Sequence, residues 1–269
     1  MKLTKLASAA ILAMAASGSA NAVVVDVQIT NLTHAQTFTP RLVIAHDATY
    51  DAFEAGQDAS TALAWLAEAG VIDDAQNADS SGQNFEAELG PVDTDNGANT
   101  WHRFGGTLGP SASLSYPFDT MDKPYLSLLT MLVPTNDTFA GLDSIEIPTE
   151  AGTYTYTLHA YDAGTELNDE INSTRTDVVE AGTGNALGGY GLPGVAGVGA
   201  SPVPLGVGGT GVGAVIENGE IEDGTDGPVH IHRGILGDTS LTGGASDLDS
   251  TSHRWLNPVA RVTITVPAS

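Results

Sequence analysis

Residues 101–159 read WHRFGGTLGPSASLSYPFDTMDKPYLSLLTMLVPTNDTFAGLDSIEIPTEAGTYTYTLH, and this stretch decides the fold class. Aromatic and β-branched residues gather in short runs at Trp101–Leu108, Ser113–Tyr116, Pro124–Val133, Ser144–Ile147 and Gly152–His159, with turn-forming residues between them. Runs of this kind read as strands. They recur mostly at roughly 10 to 20 residues, the spacing of an antiparallel sandwich rather than of βαβ units. The expected fold class is therefore all-β, an antiparallel β-sandwich.

Working outward, Val259–Val266 (VARVTITV) alternates well after Pro258 and reads as the final strand. Towards the N-terminus, Val23–Thr30 (VVVDVQIT) reads as a strand broken by Asn31-Leu32-Thr33. A second strand is expected across Thr37–Ala45, where Pro40 marks an edge or an entry position. Ser60–Ala69 (STALAWLAEA) is rich in helix formers, with Ser60 as N-cap and Gly70 as stop, so one short inserted helix is expected. The acidic stretch Asp73–Asn99 reads as a solvated loop. Its Asp93-Thr94-Asp95-Asn96-Gly97 segment lacks the alternating ligands and closing Glu of an EF-hand.

Two segments stand outside this pattern. Lys2 and Lys5, the apolar run Leu6–Ala16 and Ala20-Asn21-Ala22 define a signal peptide over residues 1–22, leaving 23–269 as one expected sandwich domain. That apolar run is shorter than the ~20 residues needed to span a bilayer, and no later run reaches that length, so no transmembrane segment is expected. Residues 182–213 hold 13 glycines and no charge, the composition of a flexible insertion. The GVGGTGVG within it has no following lysine and no strand-to-helix setting for a phosphate loop.

Charge excludes one class of partner. Removing Lys2 and Lys5 from 9 basic residues leaves 7 against 33 acidic ones, a formal net charge of −26. Lys123 is then the one lysine, whereas nucleic-acid binding needs clustered Lys and Arg. With no cysteine, stability in an exported chain rests on packing or metal rather than disulfides, and a thiol nucleophile is excluded. No HExxH and no GxSxG is present, and an enzyme is not expected.

Leu126–Ile145 (LSLLTMLVPTNDTFAGLDSI) and Leu158–Glu166 (LHAYDAGTE) carry a family resemblance. The first resembles the spondin N-terminal domain pattern in which a strand of the type SMLVP runs into Ser/Thr-x-Asp, an aromatic residue and a Gly-containing turn. The second is similar to that domain's DAGTD loop. The opening VQITNLT, the following QTFTP and the ending HRWLNPVARVTI are similar as well. The resemblance implies a C2-like sandwich, Ca²⁺ bound at loops by carboxylates, and roles in adhesion or matrix contact. Carried onto this sequence, the ligands fall on Asp137, Asp162 and Glu166, the last being Glu where the pattern has Asp. Chemistry agrees: Ca²⁺ takes six to eight oxygens, and Gly164 can adopt positive φ so that both acids of the loop turn inward. Asn168, Asp169 and Glu170 read first as surface residues, though they could add oxygen ligands or hydrogen-bond to the ligands from behind.

A second candidate metal site is His230-Ile231-His232 in PVHIHRG. On a strand, alternation places both imidazoles on one face, where Zn²⁺ or Cu²⁺ could be gripped. His34, His46, His102 or His253 could complete it. This supports an alternative, a periplasmic copper- or zinc-binding protein or a metal-dependent hydrolase. Trp65, Trp101 and Trp255 read as packing residues. The expected function is an exported, periplasmic or extracellular calcium-binding module that engages a protein or surface ligand.

Overall fold

The computed structural model describes residues 23–76, 80–90, 100–171, 227–240 and 244–268. The expected signal peptide, the Asp93–Gly97 segment and the glycine-rich insertion lie outside these residues.

In chain order the elements are β1 (Val24–Asn31), β2 (Thr37–Phe38), β3 (Arg41–His46), α1 (Thr61–Ala69), α2 (Phe85–Leu89), β4 (Thr100–Phe104), β5 (Ser113–Asp119), β6 (Tyr125–Val133), β7 (Thr138–Glu146), β8 (Gly152–Asp162), β9 (His230–Ile231) and β10 (Ala260–Val266). The strands form one sheet in the order β4-β3-β6-β7-β8-β10-β1-β5, with β2 paired to β6 and β9 to β8. Every strand pairing is antiparallel.

The two end strands meet through side chains. Phe104 of β4 stacks on Tyr116 of β5 with ring centroids 4.2 Å apart, and Phe118 adds an edge contact. Buried Arg41 spans the same seam, donating to the carbonyls of Thr39, Gly105 and Gly106 and to the Tyr116 hydroxyl. Burial pushes its pKa down, and the tyrosine contact opposes that shift. The sheet thus curls into a near-closed sandwich, in agreement with the all-β reading.

Burial explains the strand sequences. On β1 and β10, Val25, Val27, Ile29, Val262, Ile264 and Val266 point into the enclosed core while their neighbours face outward, hence the alternation. β3 and most of β6 are buried on both faces, hence the unbroken run LSLLTMLV. Val43 and Leu128 enter the enclosed core, whereas Leu42, Ile44 and Leu129 meet a second core under the helices.

The α1 helix covers that second core and is buried from Ala62 to Ala69. Ser60 Oγ accepts from Leu63 N at 3.1 Å, and Gly70 ends the helix at φ 68°. Both terminal signals sit where the sequence places them. All three tryptophans are buried.

Three expectations need correction. The strand expected across Thr37–Ala45 is split at Pro40 into β2 and β3, and β3 is internal, so Pro40 marks an entry rather than an edge. The acidic stretch is not a plain solvated loop. Asp73 is buried against Arg103 at 2.5 Å, and Asn84 caps a second helix, α2, which buries Phe85. Finally, β7 begins at Thr138, earlier than the expected Ser144. Its register with β6 shifts opposite Ser127, and Ser144 takes φ 51° there, the mark of a β-bulge. Gly141 is the reason its apolar pattern is weak: a Cβ there would lie 2.7 Å from Phe53.

Candidate metal centre

Thr138 opens β7 and pairs with Asp162, which closes β8. The residue before β7 and the loop after β8 are therefore neighbours, and Asp137, Asp162 and Glu166 belong to one end of the sheet. All three are buried, at 0%, 1% and 3% exposure.

Asp137 organises the loop. Its Oδ2 accepts from Thr165 N at 2.8 Å, Glu166 N at 3.1 Å and Thr165 Oγ1 at 3.2 Å, while its carbonyl accepts from Ala163 N. Asp162 Oδ1 accepts from Gly164 N at 2.8 Å, an Asx turn. Gly164 takes φ +72° as expected, and a second demand falls on it: an added Cβ would lie 1.9 Å from the Gly227 carbonyl oxygen. That contact brings the 227–232 segment against the carboxylate loop.

The three residues after Leu167 brace this end. Asn168 donates to Asp162 Oδ2. Asp169 accepts from Asn136 Nδ2 and from Ile171 N, and Glu170 N donates to Asn136 Oδ1. The Glu170 carboxylate holds a further loop, accepting from Leu236 N, Gly237 N and Ser246 Oγ at 2.6–2.8 Å. In that loop, backbone donors from Ser240, Ala245 and Ser246 hold Asp238 below the usual carboxylate range. His253 Nδ1 accepts from Asp249 N at 2.9 Å, and burial pushes its pKa down.

The histidine pair arrives at the same place. β9 pairs with the end of β8, with His230 opposite Asp162, and His232 N continues the ladder to Ala160 O. Both imidazoles face the same carboxylate: His230 Nε2 lies 3.7 Å and His232 Nε2 3.9 Å from Asp162 Oδ2. The same-face expectation holds, and sequence reasoning missed that Asp162 joins the two candidate sites. Of the four histidines that could have completed the pair, His46 bonds Ser127, His102 packs on Phe104, His253 bonds Asp249, and His34 lies near enough to His253 to act on its charge. A cavity of about 600 Å³ opens beside Asp162, Asn168, His230 and His232.

The donors suit calcium in kind, since buried carboxylate oxygens are hard ligands and a buried anion calls for a counter-charge. Among the described residues, however, no three His, Asp or Glu side chains are gathered closely enough to hold a metal by themselves. Any ion here needs backbone carbonyls or water in its shell, as Ca²⁺ commonly takes. Sequence reasoning also missed Asn136 as a clamp of this end, and Asn168, named there as a possible oxygen donor, is a second clamp that donates to Asp162. The nearest signal was the run of polar residues beside each acid.

No helix among the described residues is long and apolar enough to cross a membrane. No curated protein matches the chain. The Spondin_N family model matches residues 28–179, a span that contains Asp137, Asp162 and Glu166 and ends before His230. That match takes in more than half of the sequence and the carboxylate loop described above, and the chain belongs to the Spondin_N family.

Proposed function

We propose that this chain is an exported, non-catalytic, calcium-binding spondin module that engages a protein or surface ligand in the periplasm or outside the cell, as in adhesion. The observation that carries the reading is the burial of Asp137, Asp162 and Glu166 at one sheet end, on loops fastened to each other through Asp137. Three anions so placed repel one another, and a hard divalent cation relieves that repulsion while adding its binding energy to the folded state.

The roles within the trio differ. Asp137 commits Oδ2 to three loop donors, so it shapes the site whether or not metal is present. Asp162 and Glu166 supply the charge that Ca²⁺ answers. Titration calorimetry of the full chain with Ca²⁺ tests this: a single-site isotherm is expected, weakened by about tenfold or more in Asp162→Asn and in Glu166→Gln. An asparagine at 162 keeps an acceptor for Gly164 N, so the turn survives the substitution. Absence of Ca²⁺ binding, or equal affinity in all three proteins, overturns the calcium reading.

A further inference from the structure

We propose a second, transition-metal site, open to the cavity, in which His230 Nε2 and Asp162 Oδ2 are the protein ligands for a Zn²⁺-class ion. It shares Asp162 with the calcium site proposed above but stands on different observations.

The proton positions of the two imidazoles separate their roles. His230 Nδ1 lies 2.9 Å from the Pro228 carbonyl, which can only accept, so Nδ1 carries the hydrogen. In the neutral ring Nε2 then presents its lone pair, and it faces a buried carboxylate oxygen 3.7 Å away. Two acceptors set face to face call for a cation between them. A ring whose far nitrogen donates to a backbone carbonyl is also how metal-binding histidines are held. His232 is wired in the opposite sense. Its Nδ1 accepts from Gly234 N at 3.0 Å, so Nε2 carries the hydrogen and donates to Asn168 Oδ1 at 3.1 Å. Asn168 in turn donates to Asp162 Oδ2. His232 therefore positions Asp162 through Asn168 and is no ligand.

The spacing is close to what a shared metal needs. With both bonds at about 2.1 Å, a 3.7 Å separation subtends about 124°, and a contraction of about 0.3 Å reaches the tetrahedral angle. The remaining coordination positions face the cavity of about 600 Å³. Water or a donor group from a partner molecule fills them. Mixed imidazole and carboxylate ligation selects Zn²⁺-class ions over Ca²⁺, which takes oxygen alone.

Zn²⁺ titration of the full chain at neutral pH, with His230→Ala and His232→Gln beside it, decides the matter. The His230 side chain is 35% exposed and tolerates truncation, and Gln at 232 retains a donor for Asn168. One Zn²⁺ site is expected in the parent protein, weakened by about tenfold or more in His230→Ala and changed by less than about threefold in His232→Gln. No Zn²⁺ binding by the parent, equal binding in His230→Ala, or equal losses in both variants overturns the assignment. A parallel Ca²⁺ titration of His230→Ala keeps the two proposals apart. Ca²⁺ affinity is expected to stay at the parent value, and failure of Ca²⁺ binding in every protein leaves the Zn²⁺ result standing on its own.

Discussion

Gly164 carries two constraints that only glycine meets: a left-handed backbone and a carbonyl pressed against its α-carbon. Gly164→Ala should therefore cost about 2–4 kcal/mol, read by urea denaturation, and should loosen both the carboxylate loop and the histidine segment behind it. Asp137→Ala strands two backbone N–H groups in a buried loop and should cost about 2–4 kcal/mol. His253 gives a pH dependence of known sign. Its pKa is lowered in the fold, so the unfolded chain takes up the proton more readily. Its contribution is complete above the ordinary value of about 6.5 and is lost as pH falls below it, by at most about 1.4 kcal/mol per pH unit. The stability difference between pH 7.5 and 5.5 should shrink in His253→Asn, which keeps an acceptor for Asp249 N. An unchanged slope would assign the acid sensitivity to groups other than His253.

The elements show where local signals suffice. The α1 helix was legible because Ser60 and Gly70 mark its ends and its helix formers are continuous. The β1 and β10 strands were legible because one face of each is wet. β7 was misplaced because Gly141 leaves room for Phe53 where an apolar side chain would mark the strand, and a bulge breaks its period. The bulge has its own polar support. Ser127 Oγ accepts from Ser144 N at 2.9 Å, donates to Asp143 Oδ1 at 2.8 Å and meets His46 Nε2 at 2.8 Å. Ser127→Ala, which empties the centre of that network, should lower stability by about 1–3 kcal/mol in thermal or urea unfolding. The α2 helix was hidden because its five residues sit in an acidic stretch, and only Asn84 and Phe85 hint at a cap and a buried anchor. At the candidate site, motif and turn chemistry picked out Asp137, Asp162 and Glu166. The convergence of His230 on Asp162 was not legible, because 67 intervening residues separate partners that only the β8–β9 pairing joins.

Across the whole molecule, 33 acidic residues face 9 basic ones, and the sheet is closed at its seam by stacked aromatics and a buried arginine. Such a charge balance favours any cation that binds the fold in preference to the unfolded chain. In the function proposed above, calcium is the counter-charge of one loop end, with Asp137 as scaffold and Asp162 and Glu166 as the anions it would answer. The most direct measurement is thermal unfolding of the full chain in millimolar Ca²⁺ against EDTA, at fixed ionic strength, with Mg²⁺ as control. A midpoint raised by several degrees in Ca²⁺ is predicted, with a smaller rise in Mg²⁺ and a loss of the Ca²⁺ increment in Glu166→Gln. Coincident midpoints in Ca²⁺ and EDTA, or an increment that persists in Glu166→Gln, would contradict it.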